Sequence, residues 1–250
     1  MEGPLTVIDV ETVPCADALA LATRRSRSGH GRVALHRLVS VCALTARETA
    51  YGFVDVDVRA FAHPDHREQD MVGFADLLMP EPGALGATLA TYNGTHDLAV
   101  LRQRACAIWM FDVPRLAAWA NGTAGRHVDL MRRHGPSGNS AWSLADTCSG
   151  LGFAIRRGVS GRSVRNLHAE GRHAAVREHN MLDVVGTFLL YAYSRSFESG
   201  QAGFVTSAWD AIGRITSLVH LVDPDVQSLA DHHLVTNARA LLTGHCLPRP

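Results

Sequence analysis

The sequence predicts an α/β fold, a mixed central sheet flanked by helices. Two observations carry that prediction. Three β-branched or alternating runs, TVIDV (6–10), RVALHRLVSVCALT (32–45) and YGFVDVDV (51–58), follow one another early in the chain. From residue 67 onward, segments with apolar residues at helical spacing alternate with short apolar runs. Strands in succession, then strand–helix alternation, predict a mixed sheet with helices on its faces.

TVIDV has the composition that suits a pleated, buried surface. A polar Arg/Ser/Gly loop separates it from the second strand, and YGFVDVDV alternates as a third. REQDMVGFADLLM (67–79) repeats apolar residues with a helical period and stops at Pro80. ATLATYN (87–93) is a short apolar strand, and DLAVLRQRACAIW (97–109) a helix. HVDLM (127–131) reads as a strand or as one helical turn. SLADTCSGLGF (143–153) is a short helix with Gly150 near its C-terminus. SVRNLHAEG (163–171) and a long helix from about Ala174 to Ser196 follow. Beyond Gly200, Val205, Trp209, Ile212 and Val219 form one helical stripe, and a last helix runs from about Val226 to Leu242.

With 250 residues, 46% of them hydrophobic, the chain can bury a sizeable core. No apolar run approaches the ~18–20 residues of a membrane span, and MEGPLTVIDVE lacks the pattern of a signal peptide. The five cysteines are scattered without a C-x-x-C pair, which suits reduced thiols better than disulfides or zinc. The expectation is a soluble, cytoplasmic protein without membrane contact. All 24 basic residues are arginine. The absence of lysine excludes a P-loop lysine, a Schiff-base lysine and a kinase-type lysine; a GC-rich genome explains it better than selection for phosphate binding. A net charge of +0 argues against binding nucleic acid by bulk charge. Arginines nevertheless cluster, six between Ala18 and Arg47 and six between Ala154 and His179, while acids concentrate from Asp55 to Asp97.

Asp9 and Glu11 in VIDVETVP (7–14) sit two apart on a strand, so both carboxylates face one way. Like charges that close repel, and burying them unpaired is costly. Further acids lie at comparable places. Asp97, in TYNGTHDLAVL (91–101), stands where a strand gives way to a helix and reads equally as an N-cap. Asp183, in REHNMLDVVGTFLLY (177–191), borders a buried helical face, and His179 four residues earlier shares that face.

These three segments, VIDVETVP, N-x-x-x-D in YNGTHDLAVL and H-x-x-x-D in EHNMLDVVGT, resemble motifs I, II and III of the DEDD 3′–5′ exonucleases. More narrowly, the chain is similar to the predicted 3′–5′ exonucleases related to the proofreading domain of family-B DNA polymerases. HVDLM, SLADTCSGLGF and SGRSVRNLHAEGRHAAVREHNMLDVVGTFLLY occur in the family's order, so the likeness covers about Leu5 to Gly200. It implies a ribonuclease H-like (DnaQ-like) fold for residues 1–200, leaving 201–250 as a helical extension of unassigned role.

The resemblance also implies chemistry. Phosphodiester hydrolysis needs an activated water and charge neutralisation on two oxygens, which two divalent cations about 3.5–4 Å apart supply. Oxygen ligands select Mg²⁺ or Mn²⁺ over zinc. Asp9 would bridge both ions, Glu11 and Asp183 would hold the catalytic one, and Asp97 would position the second through water. His179 departs from the family, which carries Tyr at this spacing; the superfamily's histidine branch places its His one residue farther away, where this chain has Glu178. An imidazole, with an ordinary pKa near ~6.5, can accept a proton where a tyrosine could only orient the water. Glu178 should face away, about 100° around the helix.

Asn93 is expected to contact the substrate strand or fix its loop, and His96 to be a packing or base-contact substitution. Arg162 and Arg165, with Arg156 and Arg157, are expected to steer the strand; the Arg24–Arg32 loop reads as solvated. Aromatics at 6% make a broad base-stacking platform improbable. The expected activity is metal-dependent 3′–5′ exonucleolysis of single-stranded ends, DNA favoured and with DNA repair as its setting, releasing nucleoside monophosphates. Two alternatives stay open: a catalytically silent module binding nucleic-acid ends or a partner, and an oligoribonuclease-like enzyme acting on short RNA. The sequence identifies no protein partner.

Overall fold

The opening strand is the central one of a five-stranded sheet. In a computed structural model, which describes residues 2–22, 34–62, 64–135, 142–155 and 161–218 (side chains of 161–163 and 216–218 excepted), β1 spans Gly3–Pro14. With β2 (His36–Glu48), β3 (Phe53–Phe61), β4 (Thr88–Thr91) and β5 (Arg126–Asp129) it forms a sheet of order β3-β2-β1-β4-β5. β2 and β3 join β1 antiparallel in succession, whereas β1, β4 and β5 run parallel. The mixed sheet expected from the strand pattern is present.

The helices are α1 (Ala16–Leu21), α2 (Glu68–Leu78), α3 (Gly94–Ala107), α4 (Pro114–Ala120), α5 (Leu130–His134), α6 (Leu144–Gly150), α7 (Gly161–Ala169), α8 (His173–Ser199) and α9 (Gly203–Leu218). α1 and α4, at six and seven residues, are too short to leave a readable period and have no counterpart in the sequence expectation. HVDLM does both things it could do, ending β5 and beginning α5. The 226–242 helix, the 24–32 loop, Arg156 and Arg157 lie outside the described residues.

Strand alternation divides the core. Leu5, Val7, Cys42 and Leu44 pack beneath α8 with Phe188, Leu189 and Tyr191. Ile8, Val10, Val41 and Ala43 point the other way, onto α2, α3 and α4. A bulge interrupts this pattern at a telling place. Glu11 pairs with Ser40 but Thr12 pairs with Leu38, so Val39 is the extra residue. Beyond it the faces exchange: Leu38 joins the α2–α4 core, and Val39 packs with Val13, Val164 and Val176 under α7.

α9 belongs to the same core as α8, contributing Phe204, Ala208, Trp209 and Ile212. Burial of an apolar side chain such as Ile212 contributes about 1.5–3 kcal/mol. The helix reaches the β2–β3 turn because Gly52 has no Cβ to strike Ser207, whose Oγ accepts the Phe53 N–H at 3.0 Å. At its far end α8 is pinned by a buried carboxylate. Glu48 accepts from Tyr191 Oη at 2.6 Å and from Arg195 Nε at 2.7 Å, with Arg126 3.7 Å away.

Candidate active site

β1 delivers its two acids to the α8 side. Val7 faces α8, so Asp9 and Glu11, two and four residues on, continue that face. α8 answers with His179 and Asp183, one turn apart and both buried. Glu11, His179 and Asp183 each offer a ligand atom, all within 4.8 Å of one another. His179 Nε2 lies 3.3 Å from Glu11 Oε1, with the two side chains 4% and 15% exposed. Asp9 lies outside that group of three, opposite Cys42 across the β1–β2 ladder. Burial pushes the Cys42 thiol well above its ordinary range, and the charges of Asp9 and Asp183 push it further. These two carboxylates therefore flank one sulfur.

Asp97 comes from the neighbouring parallel strand. Val7 is level with Ala90, so the chain leaving β4 passes into α3 at the same edge of the sheet as Asp9. α3 starts at Gly94, earlier than expected, and only glycine fits there: a Cβ would collide with Thr91 Oγ1 and the His127 ring. Asp97 thus lies within the first turn, and Asn93 holds the N-cap position. Burial raises the Asp97 pKa, a hydrogen bond from His96 Nδ1 at 3.2 Å opposes this, and Asp129 adds to the rise. Its Oδ2 is buried with no hydrogen-bond partner among the described residues. Asp97 groups with His96 and Asp129, apart from the three converging groups on β1 and α8.

The remaining expected residues are dispersed around this edge. Asn93 is half-buried, and its Oδ1 accepts from Thr95 Oγ1 at 3.1 Å, which fixes the turn. Arg165 is exposed on α7; burial lowers the His36 pKa, and the charges of His96 and Arg165 lower it further. Arg162 lies in α7, its side chain outside the described residues. Glu178 is half-buried and is not among the three converging groups.

Sequence reasoning passed over Asn180. It is fully buried, its Nδ2 donates to Ser40 Oγ at 2.9 Å, and Ser40 pairs with Glu11 across the ladder. Its Oδ1 has no hydrogen-bond partner among the described residues. A helical Asn next to a His carries no signal until its partner strand is known. Asp129 was likewise passed over, because its approach to Asp97 depends on the pairing of β4 with β5.

Carboxylates outnumber imidazoles here, a donor set that fits a hard divalent cation rather than zinc. The buried, unsatisfied Asp97 Oδ2 fits a cation or its hydration shell in the same way. Residues 29–202 match the family model of predicted 3′–5′ exonucleases related to the exonuclease domain of PolB. The chain belongs to this exonuclease family. The family match contains Asp97, His179 and Asp183, while Asp9 and Glu11 precede it. Among curated proteins none matches the exonuclease-family chain. No helix of the described residues is long and apolar enough to cross a membrane.

Proposed function

We propose that this protein is a metal-dependent 3′–5′ exonuclease that removes nucleoside monophosphates from single-stranded ends, with DNA the favoured substrate. The observation that carries the reading is the meeting of Glu11 with His179 and Asp183 in a chain of this family. The strand order β3-β2-β1-β4-β5, antiparallel on one side of β1 and parallel on the other, supports a ribonuclease H-like assignment.

Asp9, Glu11, Asp97 and Asp183 would hold two Mg²⁺ or Mn²⁺ ions. Bound there, such ions supply charge neutralisation at the attacking and leaving oxygens. The water oxygen attacks phosphorus and the bond from phosphorus to the 3′ oxygen breaks. His179 accepts the water's proton on Nε2, the nitrogen that faces the carboxylates. The 3′ oxygen takes up a proton, leaving a strand shorter by one 5′-monophosphate. Asn180 and Ser40 hold β2 against α8 beside Glu11 and act by positioning.

A denaturing gel tests this. A 5′-labelled single strand should shorten as a ladder with Mn²⁺ or Mg²⁺, stay intact in chelator, and slow when it ends in a 3′-phosphate. Parallel DNA and RNA strands report the sugar preference. Cleavage of a circular single strand would refute the exonuclease reading, and intact strands under every metal would point to a silent end-binding module.

A further inference from the structure

A cationic cleft lies just past the carboxylates. A cavity of about 310 Å³ opens beside β2, lined by Arg37, His66, Arg67, Ile108, His168 and His173. Arg37 and Leu38 pair with Val13 and Thr12, the residues that follow Glu11 on β1. The cleft therefore begins within two strand residues of Glu11, roughly 7 Å. The bulge at Val39 is what turns Arg37 toward α7; in unbroken alternation it would face α3.

The Arg37 charge is held in this cleft without being cancelled. Arg37 Nη2 lies 3.2 Å from His168 Nε2. A guanidinium only donates, so that nitrogen accepts and the ring is neutral. Burial lowers the His168 pKa, and Arg37 and His173 lower it further, in agreement. A neutral acceptor thus orients the Arg37 fork, and among the described residues no carboxylate pairs with it. Arg67 is 78% exposed, with the exposed Asp70 3.8 Å away. Glu68 also lines the cleft but is spent on Arg104 at 2.6 Å and on the Leu38 N–H at 2.7 Å.

Ile108 leads directly into an aromatic pair. Trp109 and Phe111 are 82% and 68% exposed, edge to face with centroids 6.1 Å apart. Trp109 has φ 59°, a left-handed conformation that a bulky residue rarely adopts. It follows the C-cap of α3, where the Trp109 and Met110 N–H groups donate to the Cys106 and Ala105 carbonyls, and this helix end sets the ring out to solvent. Oriented cations beside exposed rings are the two components of single-strand recognition.

We propose that this cleft is an exosite for the sugar–phosphate backbone of a single strand whose 3′ end occupies the carboxylate centre, with Trp109 and Phe111 stacking its bases. The inference rests on the exonuclease reading for the direction of the strand, and the path it defines runs from Glu11 along β2 to the end of α3.

The test is fluorescence anisotropy in chelator, where no hydrolysis occurs, with a labelled strand of about a dozen nucleotides. Arg37→Gln/Arg67→Gln should weaken binding at low salt and make the slope of log K against log salt shallower by about 1.4, two contacts at ~0.7 each. Trp109→Ala should weaken binding about tenfold with the slope unchanged, as stacking carries no counterion release. Hydrolysis of a dinucleotide in Mn²⁺ by the double-arginine variant should equal wild type. Unchanged affinity and slope in both variants overturn the exosite. Failure of the exonuclease reading shows separately, as wild-type protein that shortens no strand in any metal.

Discussion

His179 Nε2 stands 3.3 Å from Glu11 Oε1, so an imidazole from α8 and a carboxylate from β1 meet across the sheet–helix boundary. The histidine keeps the tyrosine's spacing of the narrower family yet places a basic nitrogen against the acids.

Replacing His179 by alanine should therefore slow hydrolysis about 10²–10⁴-fold, the usual worth of positioned proton transfer. His179→Tyr, the residue the family pattern carries at this spacing, should retain more activity than His179→Ala. Glu178→Ala should stay near wild type. Steady-state rates check all three. A His179→Ala enzyme within about threefold of wild type would remove this residue from the proton transfer.

Asp183→Asn should abolish nuclease activity while the fold persists. It removes one of several carboxylates that repel one another when no cation is bound, so the metal-free variant should be about 1 kcal/mol more stable than wild type. Mn²⁺ at about 100 times its Kd should stabilise the wild type by ~2.7 kcal/mol and leave Asp183→Asn unmoved. Thermal melts with and without metal read both effects, and full hydrolysis by the variant would exclude Asp183 as a ligand.

Tyr191→Phe should cost about 1–3 kcal/mol in urea titrations, since it strips a short hydrogen bond from the buried Glu48 carboxylate. Burial, and then the nearby Glu48 charge, raise the Tyr191 pKa above its ordinary 10.0. The folded state thus holds this proton more tightly than the unfolded chain. That contribution is complete below pH 10.0 and is lost as pH climbs through the raised value. Wild type should lose stability between pH 10.0 and the raised value, and Tyr191→Phe should lose less over the same range.

Trp209→Ala should cost about 3–5 kcal/mol, because its ring is 1% exposed and packs edge to face on Phe153. Metal-dependent stabilisation of the variant should persist, since Asp9, Glu11, Asp97 and Asp183 are carried by β1, α3 and α8. A loss below about 1 kcal/mol would mean that α9 is dispensable to the core.

Most of the scaffold was legible because its signals are local. TVIDV, the alternating β3 segment and the apolar face of α8 each announce themselves within one element. The pairing of His179 with Asp183 was equally local, a one-turn spacing on a helix. What escaped depends on partners distant in sequence. Asn180 gains meaning only from Ser40, and Asp129 only from Asp97. The bulge at Val39 is a mismatch between two strands, visible in neither alone. Asp97 could not be told from an N-cap because α3 begins three residues earlier, at Gly94, packed against His127 of a strand distant in sequence.

The pinning of α8 by Glu48 has a genetic consequence. Tyr191 lies eight residues from Asp183 along the helix, roughly 12 Å, and both belong to one 27-residue rod. Whatever shifts the far end alters the aim of His179 and Asp183 at the near end. A screen for inactivating alleles should accordingly recover Glu48, Tyr191 and Arg195 beside the carboxylates, although none of them belongs to the converging group on β1 and α8. Its hits would trace the mounting of the rod as faithfully as the footprint of the substrate.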